Sequence, residues 1–219
     1  MTNLYQQLQT PATPDLPNPQ DRYDRLTVAQ TNAALRTFFA KLTNTTQTLL
    51  APRGAKYLNA PYAEFEDQTD QVAANTTTAY AITFDTTEIS NGITLSNLSR
   101  INVAQAGIYN FNFTIQVKNT VNDSEDIDIW FRKNGTNIPN SNKRFGMSAR
   151  KSAGNPSHLV AAMNFFVKLN ANDYVEIVFR VSNVGVSLEH FAASSTPDRP
   201  AVPSVIATVQ FVSNLSTEA

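Results

Sequence analysis

The 219-residue sequence contains no cysteine, only 7 glycines and only 17 lysine and arginine residues, which leave a net charge of -1 against 18 acidic residues. Without cysteine the chain forms neither disulfides nor the thiolate ligands of most structural zinc sites. The few basic residues are scattered, whereas affinity for nucleic acid comes largely from clustered lysine and arginine. The composition therefore argues against a nucleic-acid-binding protein and against a basic helix on a membrane surface.

Long hydrophobic runs are also missing. No segment approaches the roughly 20 consecutive apolar residues that a membrane-spanning helix needs, and residues 1–20 lack the apolar stretch of a signal peptide. We therefore expect a soluble protein that does not insert into a membrane and is not exported by such a signal. With 42% hydrophobic residues, the chain can still bury a core, and its length suits one larger all-β domain with an appendage.

Residues 1–20 are polar and rich in proline. Proline fixes its own φ and pushes the preceding residue towards an extended conformation. We therefore predict an extended arm that has no core of its own and docks on another surface. The prolines that define this docking arm are Pro11, Pro14, Pro17 and Pro19.

Residues 21–50 are predicted to form one α-helix, with Asp21 as its N-cap and with Pro52 and Gly54 as stop signals. Apolar residues recur every seven positions, and the positions four residues later carry two polar residues and one aromatic residue. A polar residue at a core position of a coiled coil costs stability but fixes register and strand number. This heptad seam consists of Val28, Leu35, Leu42 and Leu49 together with Asn32, Phe39 and Thr46.

Two interpretations of the heptad seam remain open. The seam favours a short trimeric coiled coil, which would define an oligomer. The alternative is an amphipathic helix that packs against its own domain, because only about three heptads are present and because Leu26 and Phe38 widen the apolar face. Residues 51–61 would then link the helix to the following domain.

Residues 62–219 show a hydrophobic period of two almost throughout. In residues 108–118 each aromatic or aliphatic residue alternates with a polar one, which is typical of a strand with one face in a core and one in water. Asn-Gly and similar pairs mark turns between such segments, and no amphipathic helix fits between any two of them. The sequence therefore predicts an all-β antiparallel sandwich. The other alternating segments are 127–131, 163–169, 175–181 and 205–211.

The sequence offers little material for an active site. Its two histidines are His158 and His190, and we expect both to be surface residues. His190 directly follows Glu189, and neighbours in a strand point to opposite faces, so these two residues cannot pair as a catalytic triad requires. No glycine-rich phosphate-binding motif occurs. We therefore predict no catalytic residue, no enzymatic activity and no cofactor.

One acidic cluster carries the carboxylate ligands that a calcium site would need. Asp126 and Asp128 share one face of a predicted strand, about 6 to 7 Å apart, and carboxylate oxygens are ligands that Ca²⁺ prefers. The cluster, which also includes Asp123 and Glu125, lacks the glycine and the terminal glutamate of an EF-hand loop. We therefore predict no metal site, and Asp126 and Asp128 remain the only calcium candidates.

The outward faces of the predicted strands are rich in amides and hydroxyls, because only 16% of the residues are charged. Such faces suit subunit packing, hydrogen bonding to sugars, or plain exposure to solvent. Trp130 is the only tryptophan, and the alternation turns it away from Ile129 and Phe131. Trp130 is therefore the candidate for a ligand-binding face.

Residues 106–113 (AGIYNFNF) and 169–175 (LNANDYV) carry two strand motifs. The first looks like the Gly-x-Tyr-x-Phe-x-Phe strand of the tumour-necrosis-factor-like jelly-roll family, which includes the globular heads of the first complement component. The second resembles that family's Leu-x-x-Gly-Asp-x-Val turn, with Asn172 in place of the glycine, a residue that tolerates the same left-handed conformation. The resemblance covers roughly residues 62–212 and implies a jelly roll that packs as a homotrimer.

The whole chain is also similar to structural proteins of tailed bacteriophages, especially phages of cyanobacteria and other marine bacteria. The similarity rests on a Leu-Gln-Thr-Pro-x-Thr-Pro arm at residues 8–14, a short helix, and a jelly roll that ends in Pro-Ser-Val-Ile-Ala-Thr-Val at residues 203–209.

This similarity implies a non-enzymatic protein of the virion, bound through its arm and helix to capsid, neck or tail proteins. Its expected role is fibre-like adhesion to the host surface, with a host cell-surface glycan as a candidate ligand. Decoration of the capsid is one alternative. A carbohydrate-binding module outside any virion is another, and a hydrolase on a jelly-roll scaffold is a third.

Overall fold

The computed structural model describes residues 12–18, 21–50 and 60–215, and for residues 47–50 it describes the backbone alone. The chain divides into two units, Met1–Asn59 and Ala60–Ala219. Pro11, Pro19 and the linker residues 51–59 lie outside the described residues.

In the first unit, helix α1 spans Arg25–Leu50. Its N-cap is Asp24 and not the predicted Asp21. The Asp24 carboxylate accepts hydrogen bonds from the backbone amides of Leu26, at 3.1 Å, and Thr27, at 2.9 Å. These amides have no partner within the helix, so a side-chain oxygen must satisfy them. Hydrogen bonds from the Thr27 hydroxyl and from both amides hold the pKa of Asp24 below its ordinary value.

The second unit consists of strands, and the pairings between its named strands are antiparallel. In chain order, the described strands are β1 (Tyr62–Asp67), β2 (Gln71–Val72), β3 (Tyr80–Ala81), β4 (Thr86–Asn91), β5 (Ile93–Ser96), β6 (Arg100–Val103), β7 (Gly107–Asn119), β8 (Glu125–Lys133), β9 (Thr136–Asn137), β10 (Lys143–Met147), β11 (Ser157–Leu169), β12 (Tyr174–Val181), β13 (Val186–Leu188), β14 (Ser194–Ser195), β15 (Asp198–Arg199) and β16 (Val205–Ser213).

The strands form two main sheets. β11 pairs along the whole length of β7, so β16 and β13 share the other edge of β7, and the first sheet runs β4-β1-β16-β7-β11. The second sheet runs β5-β6-β12-β8-β10. Because the chain passes repeatedly from one sheet to the other, these orders are those of a jelly roll. The predicted all-β, antiparallel jelly-roll sandwich with one N-terminal helix is confirmed.

The core lies between the inner faces of the two sheets. The residues of β7 that the alternation predicts to face inward are all buried, and so are Ile127, Ile129 and Phe131 of β8. The ring of Phe131 reaches across to the first sheet, where it contacts Phe165 at a centroid distance of 5.5 Å. The buried hydrophobic residues of β7 are Tyr109, Phe111, Phe113, Ile115 and Val117.

Left-handed backbone conformations form two turns of the second sheet. Asn134 and Gly135 have φ angles of 47° and 80° and connect β8 to β9, and Asn172 has a φ of 68° in the turn before β12. Asn134 also links the two turns, because its side-chain amide donates to Asp173 at 2.6 Å. Asparagine therefore takes the place of glycine at residue 172, as its tolerance of this conformation predicts.

Candidate ligand-binding site around Trp130

Trp130 lies in the middle of β8 on the outer face of the second sheet, the face turned away from the first sheet. Its chain neighbours Ile129 and Phe131 are fully buried, whereas Trp130 is partly exposed. Val178 of β12 is directly opposite Trp130 and is fully buried. Because side chains opposite each other in an antiparallel pair are close neighbours, the indole lies beside Val178, and of these two residues only Trp130 is partly exposed on this face.

The strands around Trp130 enclose a shallow pocket of about 270 Å³. The indole N–H donates a hydrogen bond to Asn137 Oδ1 at 2.8 Å, which fixes the orientation of the ring. Arg132 Nε donates to the same oxygen at 3.4 Å. This Trp130 pocket is lined by Asp128, Trp130, Asn137, Ile138, Asn140, Asn142 and Arg180.

A charged network forms one wall of the Trp130 pocket. Asp128 is in register with Arg144 on β10 and with Arg180 on β12. The Arg144 guanidinium donates two hydrogen bonds to the Asp128 carboxylate, at 2.9 and 3.1 Å, the bidentate geometry that arginine favours with carboxylates. Its hydrogen bond to Asp128, together with the negative charges of Asp128 and Asp126, raises the pKa of Arg144.

Arg180 is held in place from two sides. Its Nε donates to the backbone carbonyl of Thr76 at 2.8 Å, and its Nη1 lies 3.7 Å from Asp128 Oδ2. The guanidinium therefore has a partner on each side at the pocket wall, while about half of the side chain stays exposed.

The two calcium candidates are arranged differently from what a shared ion requires. Both oxygens of Asp128 accept hydrogen bonds from Arg144, and only about a tenth of its side chain is exposed. Its carboxylate is therefore engaged by a guanidinium and not presented beside Asp126. Within residues 12–18, 21–50 and 60–215, no group of three or more histidine, aspartate or glutamate side chains is placed to hold a metal ion.

The histidines belong to a polar cluster at one end of the first sheet. His158 Nε2 lies 2.7 Å from Glu189 Oε2, and Lys118 Nζ lies 3.2 Å from Glu189 Oε1 and 2.8 Å from Asp70 Oδ2. Burial lowers the pKa of Lys118, but the hydrogen bonds that its ammonium group donates to Asp70 and Glu189, together with their negative charges, outweigh it and raise that pKa. The backbone amide of His190 donates to Asp70 at 2.8 Å. Sequence reasoning missed this cluster, because its side chains come from distant segments.

The heptad seam of α1 is largely uncovered. Val28, Phe39 and Leu42 are 41%, 57% and 37% exposed, and Leu35 is half-buried. The side chain of Leu49 lies outside the described residues. Of the arm prolines, Pro14 and Pro17 belong to a described segment without regular secondary structure.

On the outer face of the first sheet, one row of side chains that crosses four neighbouring strands contains no charged residue; we call it the central row. Phe166 of β11 is opposite Asn110 of β7, Asn110 is opposite Gln210 of β16, and Gln210 is opposite Tyr62 of β1. Phe166 and Tyr62 are exposed, as is Val160 further along β11. Asn110 Oδ1 is buried and has no hydrogen-bond partner among the described residues.

Comparison with known proteins finds no protein-family model that matches this chain and no curated protein with a matching sequence. In the part of the chain that the structure describes, no helix has both the length and the apolar character needed to cross a membrane.

Proposed function

We propose that this chain is a non-enzymatic structural protein of a bacteriophage virion. In this proposal it is a trimer that binds capsid, neck or tail proteins through its N-terminal arm and helix and presents the jelly roll as an adhesion knob. The virion location rests on the sequence similarity at residues 8–14 and 203–209.

The Trp130 pocket is the observation that supports adhesion. Ligand pockets combine an apolar surface with a few convergent polar groups, and this one combines an oriented indole with three asparagine amides and an arginine. The indole offers a flat apolar face to a sugar ring, while amides and a guanidinium supply hydrogen bonds to ring substituents. A host cell-surface glycan is therefore the ligand that this chemistry suits.

Two surfaces support self-association. The heptad seam of α1 exposes aliphatic and aromatic side chains at coiled-coil spacing. The outer face of the first sheet exposes Phe166 and Val160 among neutral amides, and interface cores are similarly depleted in charge.

Light scattering after size exclusion tests the trimer with the full chain and two double variants. Leu35→Asn with Leu42→Asn disrupts the seam, and Val160→Glu with Phe166→Glu places charge on the first sheet. Whichever pair converts a trimer to a monomer identifies the surface that holds it. Val184→Glu is the matched control, because Val184 is similarly exposed but belongs to neither surface. An unmodified chain that is monomeric at all concentrations would contradict the trimer.

Competition for the host surface tests adhesion. The purified chain is expected to block adsorption of the phage that carries it, and Trp130→Ala is expected to abolish that block without changing the oligomeric state. A chain that leaves adsorption intact but raises the heat resistance of phage heads would instead support capsid decoration. Glycan binding by a chain that no virion contains would support a free-standing carbohydrate-binding module.

A further inference from the structure

The outer face of the second sheet carries an excess of guanidinium groups around Trp130. Arg144 and Arg180 flank Asp128 on one side of the indole. On the other side, Arg132 lies two residues along β8 and forms no ion pair within the described residues. The chain as a whole has a net charge of -1, so this basic face is a local feature.

The carboxylates on the same face do not cancel this excess. Asp128 is shared between Arg144 and Arg180, and Asp126 lies one step further along β8, on the side away from Trp130. Glu176, opposite Arg132, is buried and already paired with Arg100 at 3.5 Å. Apart from the Arg100–Glu176 pair, this face carries three guanidinium groups, those of Arg132, Arg144 and Arg180. Its two remaining carboxylates are Asp126 and Asp128, so one positive charge is left over beside the indole.

Hydrogen-bond donors also outnumber accessible acceptors in the Trp130 pocket. The Asp128 carboxylate is shielded by Arg144, and the Asn137 oxygen already accepts from Trp130. Arg180 uses Nε for Thr76, and guanidinium has five N–H donors. An ionised carboxylate accepts hydrogen bonds and donates none, so it complements such a pocket better than a hydroxyl does.

We infer that the Trp130 pocket selects acidic sugars, with the pyranose ring against the indole and the ring carboxylate against Arg180. This inference rests on the proposed glycan-binding function and specifies the class of glycan. Arg180 is the specificity-determining residue, because its guanidinium is already positioned at the pocket wall and can meet a carboxylate without further ordering.

Fluorescence titration provides a direct test, because Trp130 is the only tryptophan in the chain and its emission reports on the pocket alone. The probes are a glucuronate-containing hyaluronan hexasaccharide, trigalacturonate and sialyllactose, each compared with its carboxyl-reduced form. Charge-assisted hydrogen bonds are strong enough that at least one acidic probe should bind about tenfold more tightly than its reduced form, or better.

Two variants assign that preference to named groups. Arg180→Gln should remove the difference in affinity between the acidic probe and its reduced form, and Asp128→Asn should strengthen acidic binding by removing a competing carboxylate. An altered fold would not produce these opposite signs. Arg199→Gln is the matched control, since Arg199 is an exposed arginine on β15 outside the pocket lining, and it should change neither affinity.

The outcomes separate this inference from the proposed function. Equal binding of acidic and reduced probes, lost in Trp130→Ala when binding is followed by calorimetry, would overturn the acidic preference and leave glycan binding in place. No binding of any probe, acidic or reduced, would overturn both. Acidic binding that Arg180→Gln leaves unchanged, or that dextran sulfate matches, would reflect non-specific attraction and would also overturn the inference.

Discussion

Phe131 joins the two sheets, and its removal tests how the sandwich is held together. It belongs to β8 of the second sheet and is fully buried. Its ring centroid lies 5.8 Å from both Phe111 and Phe113 of β7 and 5.5 Å from Phe165 of β11, all in the first sheet. Phe131→Ala would therefore remove three ring contacts between the sheets and leave a cavity in their place.

The expected cost follows from these contacts. Replacing a buried phenylalanine by alanine costs about 3–5 kcal/mol, and aromatic pairs contribute about 0.5–1.5 kcal/mol each beyond the area they bury. Three pairs place Phe131→Ala at the upper end, at about 4–5 kcal/mol. For a domain of this size, 1 kcal/mol shifts Tm by about 2–4 °C, so we expect Tm to fall by about 8–20 °C.

Phe166→Ala is the matched control, because it removes the same side chain from a residue that is 58% exposed. In the dissociated chain it should change the free energy of unfolding by no more than about 0.5 kcal/mol. If copies associate through this face, its cost should grow with protein concentration, whereas that of Phe131→Ala should not. Urea unfolding at two protein concentrations measures the cost of each variant and its dependence on concentration. A loss under about 1 kcal/mol for Phe131→Ala, or equal losses for both variants in dilute solution, would refute the reasoning.

Three further changes test other parts of the chain. Gly107→Ala should cost about 1–3 kcal/mol, because the new Cβ would lie 2.9 Å from the backbone oxygen of Ser213; an unchanged Tm would show that β16 shifts without cost. Burial raises the pKa of Asp173, but hydrogen bonds from neighbouring amides and an ammonium group outweigh it and lower that pKa. The ionised Asp173 carboxylate therefore stabilises the folded state above about pH 4, and this stabilisation is lost as pH falls through the lowered pKa. Asp173→Asn should reduce the free energy of unfolding at pH 6 and match the parent protein near pH 2, and a difference that persists at pH 2 would contradict this. Asp24→Ala should lower the helix content of α1, measured by circular dichroism, because it removes the N-cap, whereas Asp24→Asn should retain the cap.

The β fold was predictable because each long strand has one buried face, which imposes a period of two on hydrophobicity. The same rule gives the direction of a side chain but not its burial. Asp128 points outward as predicted and is nevertheless buried, because Arg144 and Arg180 flank it. Phe211 is only partly buried, since the pairing of β16 with β7 becomes irregular there. The choice between Asp21 and Asp24 as N-cap could not be made from residue type, because aspartate is equally suitable at both positions.

The candidate site was predictable in part. Alternation along β8 places Trp130 on the outer face, so the sequence identified the central residue. Its surroundings come from elsewhere: Asn140 and Asn142 precede β10, and Arg180 belongs to β12. These segments meet only through strand pairing, and strand order cannot be deduced from one sequence by periodicity.

The chemistry of the two outer faces bears on how a shallow pocket could serve adhesion. The central row of the first sheet, from Phe166 to Tyr62, carries no charged side chain, so covering it would desolvate no ion. The face around Trp130 carries several guanidinium groups, whose desolvation would be costly. Because the two outer faces of a sandwich point in opposite directions, a trimer built on the first sheet would leave three Trp130 pockets exposed. Linked sites gain roughly 100-fold or more in avidity over one site, so three such pockets of about 270 Å³ would together bind a surface that repeats the same sugar more tightly than one pocket alone.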